Sequence, residues 1–183
     1  MDAALWPAVF GNTGPVEIEI GPGRGEVILA FAASRRDTNF LGVEHSAGLA
    51  DAIAEIAARR RLTNLRVVAG DACCIVGHLV PPASVTAFHV YFPDPWPKTR
   101  HRRRRLFDGP TFARALARAL VPGGPVHVAT DLAPLHDRMC RQLAAAGLVP
   151  GTGAPVRPLS KFERKYAATG TYAATFVRIR RAR

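Results

Sequence analysis

Apolar and polar residues alternate from Val16 to Ile20 (Val-Glu-Ile-Glu-Ile), and the alternation breaks at once into Gly21-Pro22-Gly23-Arg24-Gly25. Period two over β-branched residues predicts a strand, and glycines around a proline predict a tight turn. The spacing then predicts a helix over Glu26 to Ser34 and a strand over Asn39 to Glu44. A second helix is expected over Ser46 to Arg61, where Ala, Leu and Ile recur at helical intervals, and a third strand over Leu65 to Asp71. This is a βαβαβ unit. Val85 to Phe92 predicts a fourth strand, and Pro93, Pro95 and Pro97 rule out regular structure immediately after it. Helices are expected over Phe112 to Leu120, stopped by Pro122-Gly123-Gly124, and over Leu135 to Ala146, with a fifth strand over Val126 to Thr130 between them. The β-favouring run Thr171 to Ile179 follows a glycine turn and suits an antiparallel edge pair. The expected fold is therefore α/β, a single doubly wound Rossmann-like domain whose mostly parallel sheet ends in that pair.

Length supports one domain. At 183 residues and 48% hydrophobic, the chain can bury one good core but not two of ordinary size. Residues 1–183 are read as that domain, with residues 1–14 a short amino-terminal segment. Charge adds a partner, because 25 Lys plus Arg against 14 Asp plus Glu give a formal +11, which suits a polyanion such as nucleic acid. The three cysteines, Cys73, Cys74 and Cys140, suggest neither a disulfide framework nor a zinc site. No metal is expected. The start of the chain lacks a basic segment followed by an apolar run, and no stretch approaches a charge-free membrane span. A cytoplasmic protein without membrane contact, monomeric or homodimeric, is expected.

In a doubly wound sheet, ligands bind beyond the carboxyl ends of the strands. The acids collect there: Glu19 ahead of the glycine turn, Glu44 and Asp71 closing the second and third strands, Asp94 after the fourth, Asp131 after the fifth. Glu44, read as an exposed strand-end acid, has the geometry to accept from both hydroxyls of an adenosine ribose. The glycines stand two apart at Gly21, Gly23 and Gly25, whereas a pyrophosphate-binding fingerprint spaces its last glycine three away. Together with Glu19, this favours S-adenosylmethionine, which carries a sulfonium and an amino group, over a phosphate-bearing cofactor.

Phe92-Pro93-Asp94-Pro95-Trp96-Pro97-Lys98 is followed by Thr99-Arg100-His101 and four arginines, placing six Lys or Arg within eight residues. An acid fixed between prolines, an aromatic ring beside it and a basic track after it describe a pocket for an extruded base next to a phosphate backbone.

With these residues in view, the chain resembles the bacterial tRNA (guanine-N(7)-)-methyltransferase family from about Phe10 to the carboxyl terminus. The resemblance rests on Glu19-Ile20-Gly21-Pro22-Gly23-Arg24-Gly25, Asn64-Leu65-Arg66, Asp71-Ala72, Phe92 to Lys98 with Arg100-His101, Thr130-Asp131, and Ser160-Lys161-Phe162-Glu163. It implies S-adenosylmethionine as cofactor and tRNA as partner. It also implies cofactor binding at Glu19, Gly21, Gly23, Glu44, Asp71, Ala72 and Asp94, catalysis at Asp94, and substrate binding at Lys98, Asp131, Ser160, Lys161, Phe162 and Glu163. Ser160 stands where the family usually has threonine, the turn Glu44-His45-Ser46 is one residue shorter than in some members, and the family's amino-terminal extension is nearly absent.

Two rival classes fit less well. A nicotinamide-dependent reductase calls for the longer glycine spacing and a hydride-transfer partner, and a nucleic-acid-binding protein without catalysis leaves Glu19, Glu44 and Asp71 without a role. A methyltransferase for another RNA is the nearer alternative. His45, His89 and His101 are not needed as bases for a nitrogen that carries no proton.

Overall fold

The computed structural model describes residues 5–95, 105–165 and 170–179. Its elements run α1 (Leu5–Phe10), β1 (Val16–Ile20), α2 (Glu26–Ser34), β2 (Asn39–Glu44), α3 (Ala47–Arg59), β3 (Leu65–Ala69), α4 (Ala72–Cys74, continued by a π-helical turn Ile75–Leu79), β4 (Ala87–Tyr91), α5 (Pro110–Ala119), β5 (Pro125–Thr130), α6 (Ala133–Ala145), β6 (Leu148–Gly151), α7 (Lys161–Lys165) and β7 (Tyr172–Arg178). One sheet carries all seven strands in the order β3-β2-β1-β4-β5-β7-β6. β1 to β5 are parallel, and β7 runs antiparallel between β5 and β6. The order reverses between β1 and β4, so the crevice of a doubly wound sheet lies above their carboxyl ends.

The sheet matches the expected fold, with three local differences. β3 stops at Ala69, two residues short of Asp71, which instead caps α4: its Oδ1 accepts from the Cys74 backbone N–H at 3.0 Å. β4 begins at Ala87, and Val85 forms only an isolated bridge with Leu120. The expected antiparallel edge pair is present as β7 and β6, but its outer member is the short β6, which no pattern predicted and where Pro150 is tolerated, so that β7 lies one strand in.

The two sheet faces differ in chemistry. One is apolar: Ile18, Phe88 and Val126 pack with Phe112 and Leu116 of α5 and Met139 of α6. The other lies under α2 and α3, where Phe31, Phe40 and Ile53 form a second cluster. Alternation directs Glu17 and Glu19 of β1 and His89 and Tyr91 of β4 to this second face. The alternation of β1 therefore marks a polar seam under helices rather than a wetted face, because Glu19 is only 4% exposed.

An acid drawn away from water is costly unless it is paired, and half-buried Glu17 is paired twice. Glu17 accepts from Arg35 at 2.7 Å and meets His89 Nε2 at 2.8 Å, while His89 Nδ1 lies 3.0 Å from the Tyr91 hydroxyl. A neutral His89 satisfies both contacts by donating from Nε2 and accepting at Nδ1. Burial, the largest influence, holds its pKa below the ordinary histidine value. His89 thus stacks on His127 inside the sheet as a structural group.

Candidate functional site

The loop Gly21–Gly25 joins β1 to α2 in a conformation closed to most side chains. Gly21, Gly23 and Gly25 have φ of 68°, 56° and 78°. A Cβ on Gly25 would stand 2.8 Å from Ile53 Cγ1, whereas at Gly21 and Gly23 it would meet nothing within 4 Å. Gly25 lets α2 start tightly against α3, and Gly21 and Gly23 leave open space above the strand ends.

Glu44 holds this loop. Its Oε2 accepts from the Gly23 N–H and its Oε1 from the Ser46 N–H, both at 2.9 Å. At 7% exposure it is buried, contrary to the exposed acid expected from its position at a strand end. The chain turns sharply on both sides of it, and the carboxylate satisfies backbone donors from each turn. Each oxygen retains a further acceptor direction.

Glu19 faces the same space. The Ile28 backbone reaches its carboxyl, yet Oε2 is buried without a hydrogen-bond partner. Burial pushes the carboxyl up to about 8; Arg157 opposes the rise and Glu44 adds to it. A buried carboxyl with an unused oxygen suits a ligand that brings a cationic donor, whose charge would favour its ionised form. The donor set thus fits a cofactor bearing both an ammonium and a ribose: an acceptor at Glu19, anchored acceptors at Glu44, and space over Gly21 and Gly23.

Asp71 is exposed and Ala72 half-buried, beyond the end of β3. Asp94 is exposed three residues past β4, after a turn in which Phe92 takes φ of 51° and donates its N–H to the Ala129 carbonyl at 2.7 Å. A bulky residue in the left-handed region is strained, and such strain concentrates at functional turns. Asp131 is half-buried just past β5. Glu19, Glu44, Asp71, Asp94 and Asp131 therefore all gather at the carboxyl end of the sheet, as their sequence positions predict. Trp96, Lys98, His101 and Arg102 to Arg104 lie outside the described residues.

The Ser160 to Glu163 segment has an internal structural role that its sequence only half reveals. Ser160 Oγ accepts from the Glu163 N–H at 3.1 Å, and Glu163 Oε2 accepts from the Ser160 N–H at 2.8 Å. This is a reciprocal capping box on α7. Lys161 is exposed, and its N–H donates to Glu26 Oε2 at 2.6 Å. Phe162 belongs to the backbone of α7.

Arg157 and Tyr91 were not among the expected site residues. The Arg157 guanidinium makes a two-pronged contact with Glu163, 2.6 Å on each arm, and lies over the Tyr91 ring with its carbon 4.1 Å from the centroid. Burial opposes ionisation of Glu163, but Arg157 and Ser160 hold its carboxyl below the ordinary range. Arg157 stands in an irregular stretch with no periodicity to assign it a face. The one available signal was the capping-box pattern three residues later.

Among the described residues no helix is long and apolar enough to cross a membrane, and no group of three or more His, Cys, Asp or Glu is placed to hold a metal ion. Residues 13–175 match the model of a family described as "Putative methyltransferase". The tRNA (guanine-N(7)-)-methyltransferase of Ralstonia nicotianae is 42% identical over 87% of this chain and 66% of its own length, and that of Streptomyces coelicolor is 43% identical over 85% and 60%. The chain thus spans about two thirds or less of the length of these relatives. Among solved structures, the 16S rRNA methyltransferase KamB superposes with a TM-score of 0.71 at 17% identity, covering 98% of this chain and 95% of that one. At that identity the likeness is one of fold.

Proposed function

The chain belongs to this methyltransferase family, and we propose that it transfers the methyl group of S-adenosylmethionine to the N(7) ring nitrogen of a guanosine in tRNA, acting in the cytoplasm as a monomer or homodimer. The observation that carries this reading is the span of the family match, which takes in every proposed site residue from Glu19 to Glu163. The names of the relatives, at 42% and 43% identity, supply the substrate.

Glu19, Gly21, Gly23, Glu44, Asp71, Ala72 and Asp94 would hold the cofactor, which when bound supplies a methyl group on a sulfonium. Glu19 would accept from the ammonium, and the remaining acceptor directions of Glu44 would be open to the ribose hydroxyls. Guanine N(7) has an exposed lone pair and no proton, so the protein need not supply a base. Its task is to align that nitrogen with the methyl group, and positioning carries much of the rate. Asp94 accepts hydrogen bonds from the guanine imino and amino groups and offsets the positive charge that develops on the ring. Lys98, Asp131 and the segment Ser160, Lys161, Phe162 and Glu163 hold the substrate, the last through the shape of a capped helix.

The test is incubation of the protein with S-adenosylmethionine and unmodified tRNA, followed by nucleoside mass spectrometry. 7-Methylguanosine is expected. Methylation at another atom would change the substrate assignment, and no methylation despite cofactor binding would refute the activity.

A further inference from the structure

The segment from residue 152 to 165 is irregular until α7, yet two fixed points tie it to the end of β4 and the start of α2. At the end of β4, Arg157 lies with its guanidinium carbon over the Tyr91 ring and grips Glu163. At the start of α2, Glu26 accepts from the Lys161 N–H at 2.6 Å and from Arg164 at 3.1 Å. The two ties differ in setting, because the Arg157 and Glu163 side chains are 13% and 4% exposed whereas those of Arg164 and Glu26 are 56% and 31% exposed. The outer tie is worth little in water. The inner one is restrictive, since two N–H groups forked onto a carboxylate fix the plane of the guanidinium while its carbon lies over a ring.

We propose that Arg157 is a positioning residue of the reaction: forked onto Glu163 and set over the Tyr91 ring, it fixes α7 against the carboxyl ends of β1 and β4, so that the substrate segment and the cofactor acids keep one geometry. The inference rests on the methyltransferase reading and adds to it a residue outside the proposed cofactor- and substrate-binding sets. Arg157 acts on the substrate side through Glu163, whose carboxylate also caps α7. It acts on the cofactor side through charge, because the groups facing Glu19 are Glu44 from β2, the Ile28 backbone from α2 and Arg157, which alone among them is cationic.

Arg157→Lys and Arg157→Gln separate these actions. Lysine keeps the charge but cannot fork or stack as a plane, and glutamine loses both. In the full chain, S-adenosylmethionine binding is measured by calorimetry between about pH 6.5 and pH 9.5, a range that brackets the shifted Glu19, and methylation of unmodified tRNA is measured in steady state. Both variants are expected to raise KM for tRNA by about tenfold to a hundredfold, the cost of a small misplacement. Only Arg157→Gln should move the midpoint of the pH profile for cofactor binding upward; Arg157→Lys should keep the parental midpoint. Parental KM in both variants overturns the proposal, even with a lowered melting temperature, because Arg157 then serves stability alone. If Arg157→Gln does not fold, KM of Arg157→Lys decides. A parental protein that binds no S-adenosylmethionine would defeat the proposed function itself, whereas a parental enzyme that methylates tRNA beside variants indistinguishable from it would defeat only this inference.

Discussion

Glu44→Gln is the most informative single change at the cofactor end. The parental carboxylate presents an oxygen to the Gly23 N–H and another to the Ser46 N–H, each at 2.9 Å. An amide has one oxygen and one NH2 group, so in either orientation one of these backbone donors faces another donor. A hydrogen bond to a charged group contributes about 1.5 to 3 kcal/mol, and the variant loses one such bond and weakens the other by removing the charge. The expected loss of stability without ligand is therefore about 2 to 3 kcal/mol. Cofactor affinity should fall as well, by about tenfold to a hundredfold, because each 1.4 kcal/mol is a factor of ten and one ribose acceptor also disappears. Urea unfolding of the unliganded protein and calorimetric titration with S-adenosylmethionine measure the two effects separately. Unchanged unfolding would contradict the role of Glu44 as anchor of the glycine loop. Unchanged affinity would remove it from the ribose site.

Asp94→Asn should lower the single-turnover rate of methyl transfer by about a hundredfold to a thousandfold with both ligands saturating; a parental rate would leave alignment as the source of catalysis. Neutralising Arg102, Arg103 and Arg104 together should raise KM for tRNA and lower the salt dependence of binding by about 0.7 to 0.9 in slope for each phosphate no longer neutralised, with cofactor affinity unchanged. The raised Glu19 carboxyl, at about 8 against 4.5 when unfolded, contributes stability that is complete below pH 4.5 and lost as pH rises through about 8. Glu19→Gln should abolish that alkaline loss in denaturation curves of the unliganded protein while weakening S-adenosylmethionine binding. His127, pushed down to about 4 mainly by burial, has the opposite sign: its contribution is present above about pH 6.5 and disappears as pH falls toward 4. His127→Gln should flatten the acid limb of the same curves.

Much of this architecture was legible where local pattern and tertiary environment agree. The bounds of β1, α2 and β2 follow directly from alternation, the glycine turn and the run of apolar residues after it. The acids at strand ends then fell into place, since the carboxyl end of a parallel sheet is set by chain direction alone. What pattern could not supply was set by distant partners. The alternation at Glu17 and Glu19 is that of a half-exposed strand, and only α2 above it buries Glu19, while Glu17 stays half-buried against His89 and Arg35. Ser160 and Glu163 are three apart as a cap requires, but the grip of Glu163 on Arg157 depends on a loop whose course no periodicity records. The π-helical turn Ile75–Leu79 contains a glycine and no helical repeat, and β6 contains a proline, so each is stabilised by its neighbours.

The placement of β7 has a consequence for how the molecule is made. Among the described residues β6 pairs with no strand but β7, and β7 also covers the edge of β5. Synthesis from the amino terminus therefore makes the five parallel strands before β7, and until β7 is made the backbone donors and acceptors along that edge of β5 lack their native partner and are open to any extended peptide. Residues 148–151 must wait for a partner more than 20 residues further along the chain. Until the ribosome releases residues 172–178, the nascent chain has an adhesive margin, and a truncation just before Tyr172 would make that margin permanent. Such a product should aggregate even though every proposed cofactor acid is present in it.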